Sequence, residues 1–364
     1  MKRILIISTP PEFGGGETYV LSLIKRLPEF EFVVMTNLLV LREEVAQLNG
    51  PRVRSVRLAV KFYTKYQIWL SFILQPFIWI QLIRVISIDK PDLIHVQSHE
   101  ERLSVWLPAI IFRIPVIWTM HGSIDTSGSK LYSNYLRIVA QSTKRIICIS
   151  KYVQESVVKA GVSPDKLTVI YNGVDTKRFK PMEPLGPYIT YIGRFEEVKN
   201  PSLFIDAAAI IHKQYPLLEF KMIGDGSLFE ECIEQATKLE LNNVLQFEGY
   251  KNDILPHIQA SRILVIPSRD EGMSIVAAEA MSCGIPIVAT AVGGLVEVVS
   301  DGLTGILTEP NDAVSLANGI LSIYSSPSKA ISFGAQARTL AKKKFDVKLM
   351  LNSTKGEYER VLSK

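Results

Sequence analysis

A short apolar strand, an acidic turn and a small-residue helix follow one another at 263–286, and no other stretch restricts the fold as much. Ile263-Leu264-Val265-Ile266 forms the strand, Asp270-Glu271-Gly272 the turn, and a helix is expected over roughly Ser274 to Cys283, ended by Gly284 and Pro286. Gly272 lets backbone approach a ligand closely, and the helix start offers unpaired N–H groups to an anion. Glu271 lies in the turn and Glu279 on the second helical turn. One carboxylate can meet a ligand at the strand edge while the other reaches polyol hydroxyls beside the helix. Amides for phosphate and carboxylates for hydroxyls suit a nucleotide sugar.

The same strand–turn–helix rhythm recurs along the chain, which predicts an α/β fold with parallel sheets. At 364 residues the chain is long enough for two domains, each with its own core. Cys148, Cys232 and Cys283 have no paired spacing and no neighbouring His cluster, so they read as small core residues of a reducing compartment. Charge divides unevenly. Residues 1–180 hold 24 Lys+Arg against 14 Asp+Glu, and the remainder holds 17 against 22. A basic first half points to an anionic partner, such as a phosphorylated acceptor or a membrane surface. No nucleic-acid-binding motif accompanies the charge.

Ile4-Leu5-Ile6-Ile7-Ser8 is too short for a signal peptide and reads as a buried first strand. A loop with Gly14-Gly15-Gly16-Glu17 follows, then a helical pattern from Thr18 to Leu27. This is a phosphate-side arrangement, but not the dinucleotide fingerprint, because Tyr19 stands where the third glycine would be. That disfavours an oxidoreductase. Residues 51–65 carry Arg52, Arg54, Arg57, Lys61 and Lys65 with no acid, and Tyr66 to Ile83 carries no charge but includes Trp69, Phe72, Phe77 and Trp79. A helix broken near Pro76 is expected there, either buried or lying in an anionic membrane interface. Asp92–Ser98 and Ile114–Met120 are further strands; His95 falls inside the first, His99 opens a polar loop, and His121 stands at the end of the second with Gly122 beside it. Ligands of open parallel sheets bind beyond such strand ends. Arg145–Ser150 is a strand, Lys151–Ala160 a helix capped by Ser150, and Lys166–Asn172 the last strand of the first half.

The Pro-rich stretch 180–187 reads as a linker. After it, Tyr188–Ile192 leads into Gly193-Arg194 and, five residues on, Lys199. Arg grips diphosphate oxygens in a planar fork and Lys supplies a mobile point charge. Two more strands end at Asp225-Gly226 and at Gly249-Tyr250-Lys251, and Gly293-Gly294 opens a later glycine-rich run that shapes turns. The tail from Ala313 to Leu362 is helical, with a last helix over Leu349–Leu362.

Glu271 and Glu279, set in P-S-x-x-E-G-M-S-I-V-x-x-E-A-M-S-C-G-I-P, resemble the donor-binding signature of glycosyltransferase family 4. Gly15-Gly16 with Glu17, His121, Asn172-Gly173-Val174-Asp175 and Arg194 with Lys199 extend the resemblance from Gly14 to Glu297. It implies a GT-B fold: an acceptor-side Rossmann-like domain over 1–178, a nucleotide-sugar domain over 188–345 facing it across a cleft, and a C-terminal helix over about 346–364 packing back on the first. It further implies a retaining transfer of a sugar from a UDP- or GDP-linked donor to a glycan or lipid-linked hydroxyl, with no metal or other cofactor. Cell-surface polysaccharide or glycolipid synthesis would be the setting. No Asp-x-Asp metal motif occurs, so protein cations would do the metal's work. By this resemblance His121, Glu271, Arg194 and Lys199 act in catalysis. Gly15, Gly16, Gly226, Gly272, Met273, Ser274, Ile275 and Glu279 help hold the donor, and Asp225, Tyr250 and Lys251 are candidates beside the base. The expected location is cytoplasmic, peripheral on the inner face of the cell membrane through residues 52–83. The open alternatives are an epimerase-like enzyme acting on the nucleotide sugar itself and a non-catalytic membrane-associated binding protein.

Overall fold

The computed structural model describes residues 1–10, 14–48, 52–58, 68–97, 99–124 and 130–363. Pro11 to Phe13, Lys61, Lys65, Tyr66, Gln67 and Ser98 lie outside them. The chain divides into two compact units, Met1–Tyr171 with Lys348–Lys364, and Asn172–Val347. Segment 172–187, read above as the first domain's end and a linker, groups with the second unit.

The first unit holds strands β1 (Lys2–Ile7), β2 (Phe30–Thr36), β3 (Val53–Arg57), β4 (Leu93–Val96), β5 (Val116–Met120), β6 (Arg145–Cys148) and β7 (Leu167–Val169). They form one sheet in the order β3-β2-β1-β4-β5-β6-β7. Every pairing is parallel, with Ile4 opposite both Phe32 and Leu93. Parallel neighbours need crossover helices, which cover both faces. This explains why Ile4 to Ile7 are all buried although they alternate in direction. The helices are α1 (Gly15–Arg26), α2 (Leu39–Gln47), α3 (Ile68–Asp89), α4 (His99–Ile111), α5 (Lys130–Ser142) and α6 (Lys151–Lys159).

The structure alters three local readings. α1 begins at Gly15 rather than Thr18, because Glu17 closes a capping box on Gly14. His99 is the first residue of α4, not part of a loop. α3 runs through Pro76 without a break. Pro76 is on the exposed side, where water can satisfy the carbonyl that loses its partner. Within the basic stretch before α3, Val53–Arg57 is an edge strand, and charge on an edge discourages pairing with another chain. Arg54 donates to Asp89 at 2.9 Å and Arg52 to the Pro28 carbonyl at 2.9 Å, so part of that charge is used internally. No helix among the described residues is long and apolar enough to cross a membrane.

The second unit has strands β8 (Tyr188–Ile192), β9 (Phe220–Ile223), β10 (Leu245–Phe247), β11 (Ser261–Ile266), β12 (Ile287–Thr290) and β13 (Gly305–Thr308). Their order is β10-β9-β8-β11-β12-β13, again all parallel. Its helices are α7 (Pro201–His212), α8 (Phe229–Lys238), α9 (Leu255–Gln259), α10 (Ile275–Ser282), α11 (Leu295–Val298), α12 (Ala313–Tyr324) and α13 (Pro327–Lys344). Phe195, Phe204, Phe220, Ile211, Leu316 and Ile320 fill its core. α10 owes its small residues to burial: Ala277, Ala278 and Ala280 are fully enclosed, and α13 packs alongside. Close packing continues at the helix end, where a Cβ on Gly334 would fall 2.0 Å from the Gly284 carbonyl oxygen.

The last helix, α14 (Val347–Leu362), returns to the first unit. Tyr358 brings its hydroxyl 2.6 Å from His95 Nδ1, and Thr119 holds His95 Nε2 at 2.7 Å. Thr354 meets the Tyr19 hydroxyl at 3.2 Å, and Glu357 takes the Arg145 guanidinium at 2.8 Å. His95 is wholly enclosed, and burial holds its pKa down at about 3, with the neighbouring His121 adding to the effect. In the unfolded chain the same imidazole titrates near its ordinary value of about 6.5. The unfolded state therefore binds the extra proton between those values. The stability from neutral His95 is complete above about pH 6.5 and falls as pH drops toward about 3, by about 1.4 kcal/mol per pH unit. All four tryptophans lie before residue 172, so their fluorescence reports this unit alone. The urea midpoint read from it is expected to fall between pH 7.5 and 5, and more gently in His95→Gln; equal slopes in the two proteins would contradict the assignment.

Candidate active site

In an open parallel sheet the two loops that leave in opposite directions part at the point where strand order reverses, and a crevice opens there. The first sheet reverses between β1 and β4, the second between β8 and β11. The expected site residues gather around these two points.

At the first point, Ser8 after β1 donates its hydroxyl to Glu17 at 3.0 Å, and the other Glu17 oxygen accepts the Gly14 N–H at 2.9 Å. Glu17 is thus a buried structural clasp for the glycine loop, and burial raises its pKa. Gly16 lies against His121, since a Cβ there would sit 3.5 Å from the imidazole. Gly15 is exposed at the helix start. His121 follows β5, and its Nε2 meets Gln97 Oε1 at 2.9 Å, just beyond β4. Tyr19 packs edge-on against the ring at 5.4 Å. Burial, helped by the charge of Arg102, lowers the His121 pKa to about 4, so the ring is neutral at physiological pH. With Nε2–H donated to Gln97, Nδ1 carries a lone pair. Buried His121 Nδ1, Gln97 Nε2 and Thr9 Oγ1 have no hydrogen-bond partner among the described residues. Buried polar atoms are nearly always paired, so three orphans around one sheet edge mark a place for a polar ligand. Sequence reasoning named His121 and Gly16 but not Gln97, Thr9 or Arg102. Gln97 ends a strand in the manner of His121, and that was the available signal.

At the second point, Lys199 forms an ion pair with Glu271 Oε2, and both side chains are largely shielded from water. Ser268 Oγ donates to the same carboxylate oxygen at 3.4 Å. The loop bearing Arg194 is fixed by close backbone contacts. The Tyr191 hydroxyl donates to the Arg194 carbonyl at 2.6 Å, and Phe195 N–H to the Asp225 carbonyl at 2.9 Å. Gly224 has φ +136, and a Cβ there would fall 1.9 Å from the Gly193 carbonyl oxygen. Gly226 packs on Phe195 in a similar way, and its N–H turns to Asp225 Oδ1 at 2.7 Å. The Glu271-Gly272 turn rests on Gly293-Gly294, with Gly294 N–H donating to the Glu271 carbonyl at 2.7 Å. A Cβ on Gly294 would lie 2.0 Å from the Gly272 carbonyl oxygen, so these glycines form the floor of the turn, the structural role expected of them.

Beyond the turn, Ser274 caps α10 by accepting the Ala277 N–H at 3.2 Å. Its hydroxyl is therefore occupied within the helix start, while the first-turn amides, Ile275 among them, have no intrahelical acceptor. Met273 departs from its expected role in one respect. Its side chain is buried, with Sδ 3.2 Å from the Asn172 nitrogen, so only its backbone is left to face a ligand. Glu279 is half-buried on α10, and desolvation lifts its pKa to about 8 against the opposing charge of Arg178. Arg178 itself pairs with Asp253 at 2.8 Å. Tyr250 is exposed, and Lys251 pairs with Glu248 at 3.1 Å.

The second unit thus brings together a cation, a carboxylate, a close-approach glycine and a helix N-terminus. The first offers a neutral imidazole and unpaired buried polar atoms beside a glycine-opened helix. Residues 174–340 match the family described as glycosyl transferases group 1, and residues 13–178 match glycosyltransferase family 4. An uncharacterized glycosyltransferase of Methanocaldococcus jannaschii is 29% identical over 343 residues, covering 92% of this chain and 91% of that protein. The Escherichia coli UDP-Gal:alpha-D-GlcNAc-diphosphoundecaprenol alpha-1,3-galactosyltransferase is 30% identical over 267 residues, 67% of this chain and 69% of that one. Among solved structures, Anabaena HepE in complex with UDP superposes with a TM-score of 0.84 at 21% identity, covering 99% of this chain and 100% of that one. Sucrose-phosphate synthase from Thermosynechococcus elongatus gives 0.84 at 21% identity over the whole of both chains. The fold is that of GT-B enzymes, and the chain belongs to the group 1 glycosyltransferases of family 4.

Proposed function

We propose that the chain moves a hexosyl group from a UDP- or GDP-linked sugar to a hydroxyl of a glycan or lipid-linked acceptor, with retention of configuration and without a metal ion. The observation that carries this reading is the Lys199–Glu271 pair at the strand-order reversal, beside the N-terminus of α10. A diphosphate leaving group gathers negative charge as the glycosidic bond breaks. Arg194, Lys199 and the α10 amides answer that charge with donors already in place, the largest source of rate in many enzymes. Glu271 holds sugar hydroxyls, and its ion pair with Lys199 keeps that side chain from pointing into solvent. Glu279 takes the ribose. The neutral His121 offers its Nδ1 lone pair to a hydroxyl on the donor face. The acceptor relatives named above include a lipid-linked sugar, which supports synthesis of a surface polysaccharide or glycolipid as the setting.

The partner surface is an anionic membrane reached from the cytoplasmic side. α3 supports it with Phe77, Ile80, Ile83 and Ile88, apolar residues that are all exposed.

Arg194→Ala and Lys199→Ala are each expected to lower transfer by about ten-fold or more, the loss of a charged hydrogen bond in a shielded site. Initial-rate assays with donor sugar and acceptor check it, and near-normal turnover in both variants would refute the clamp. Glu279 supplies a second test. Only its carboxylate accepts hydrogen bonds from two ribose hydroxyls, and with a pKa of about 8 it is largely protonated at neutral pH. Nucleotide affinity is therefore expected to tighten several-fold between about pH 7 and 8.5. Glu279→Gln should flatten that dependence in calorimetric titrations; a flat wild-type profile would remove the carboxylate from ribose binding.

A further inference from the structure

A cavity of about 440 Å³ opens in the first unit, at the end of its sheet opposite Gln97 and His121. It lies where β5 and β6 begin. Arg113 and Pro115 precede β5, and Arg145 is the first residue of β6. Four cations, Arg113, Lys144, Arg145 and Arg360, line it, and among the described residues no carboxylate does. Trp106, Ile114 and Val361 supply apolar wall.

Only part of this charge is spent within the fold. Arg145 is held by Glu357 at 2.8 Å and by the Asp165 carbonyl at 2.6 Å. Arg360 shares Glu357 at 3.5 Å. Arg113 and Lys144 have no side-chain partner among the described residues. For Lys144 the dipole of α5 is already answered, since Lys166 takes the Ala140 and Gln141 carbonyls at the end of that helix, at 2.9 and 2.6 Å. Arg113 sits at φ +55 as the left-handed residue that ends α4, closed by the Ile114 N–H donating to the Ala109 carbonyl at 2.9 Å.

The rim is apolar. Ile110, Ile111 and Phe112, consecutive at the end of α4, are 52%, 59% and 38% exposed. A run of exposed large apolar residues is a liability unless something covers it. The end of α3 reaches the same edge, where the Asp89 carbonyl takes the Arg3 guanidinium at the start of β1, and Ile88 is exposed beside it. Cations around a cavity of ligand size, flanked by protruding aliphatic and aromatic side chains, match an amphiphile with a phosphate head.

We propose that this cavity seats the phosphate of an anionic glycerophospholipid, with Ile110, Ile111 and Phe112 entering the acyl boundary. The proposal rests on the membrane-surface reading above but not on the transfer reading, because the cavity lies at the far edge of the sheet from His121.

Flotation of the full chain with phosphatidylcholine vesicles, with and without phosphatidylglycerol, tests it. The wild type is expected to bind only the anionic vesicles. The Arg113→Glu/Lys144→Glu variant should lose about ten-fold or more in vesicle affinity, since each cation near an anionic surface contributes measurably. Lys238→Glu, on α8 of the second unit, should bind vesicles like the wild type, and all three proteins should bind the same nucleotide, UDP or GDP, alike, which also shows that they are folded. Wild-type vesicle binding by the double variant would overturn the proposal. So would an equal loss in Lys238→Glu, which would mean diffuse attraction. Tight binding of soluble glycerol 3-phosphate by a wild type that ignores vesicles would assign the cavity to a free phosphate instead. Failure to bind either UDP or GDP with vesicle binding intact would count against the transfer reading alone.

Discussion

The ion pair between Lys199 and Glu271 joins the two loops that part at the strand-order reversal of the second sheet. Its partners come from loops after non-consecutive strands, β8 and β11, which only the parallel topology makes neighbours. Both charges are largely withdrawn from water, so each depends on the other: removing one leaves the other uncompensated in a poorly solvated place. The surrounding glycines follow from this arrangement. Gly224 and Gly226 let the Arg194 loop close on its neighbour, and Gly293 and Gly294 let the Glu271 turn settle on its floor. Side chains at those positions would push the charged groups apart before any ligand arrived.

The first unit solves a different problem. Its edge is built from neutral polar groups, and His121 is kept neutral by burial and by the charge of Arg102. A neutral imidazole can accept a hydrogen bond from a hydroxyl without a net charge to desolvate. Nδ1 and the Gln97 amide have no partner among the described residues. α14 keeps this edge in shape by fixing His95 behind it, through Tyr358 and Thr119.

Much of this was legible in residue order. Short apolar runs followed by glycine turns gave the parallel strands; Glu271, Arg194 and Lys199 stood in the loops after strands, where parallel sheets place ligands, and Glu279 on the helix that follows. What was not legible depends on contacts distant along the chain. Nothing near Met273 says that its side chain turns toward Asn172, and nothing near Gln97 says that it faces His121. The break expected at Pro76 rested on a local rule, which an exposed position relaxed. Nothing local shows that Arg52 and Arg54, from the basic run at 51–65, are engaged inside the unit by the Pro28 carbonyl and Asp89. The cavity at the start of β5 and β6 assembles Arg113, Arg145 and Arg360 from three separate elements, which no spacing rule connects.

Equilibrium titration of the purified protein with UDP, GDP and ADP in a chelating buffer bears most directly on the donor assignment. The account predicts tight binding of a single nucleotide without metal, with the affinity sharply reduced in Glu271→Ala/Lys199→Ala. Binding of none of the three, or binding that the double variant leaves intact, would contradict it.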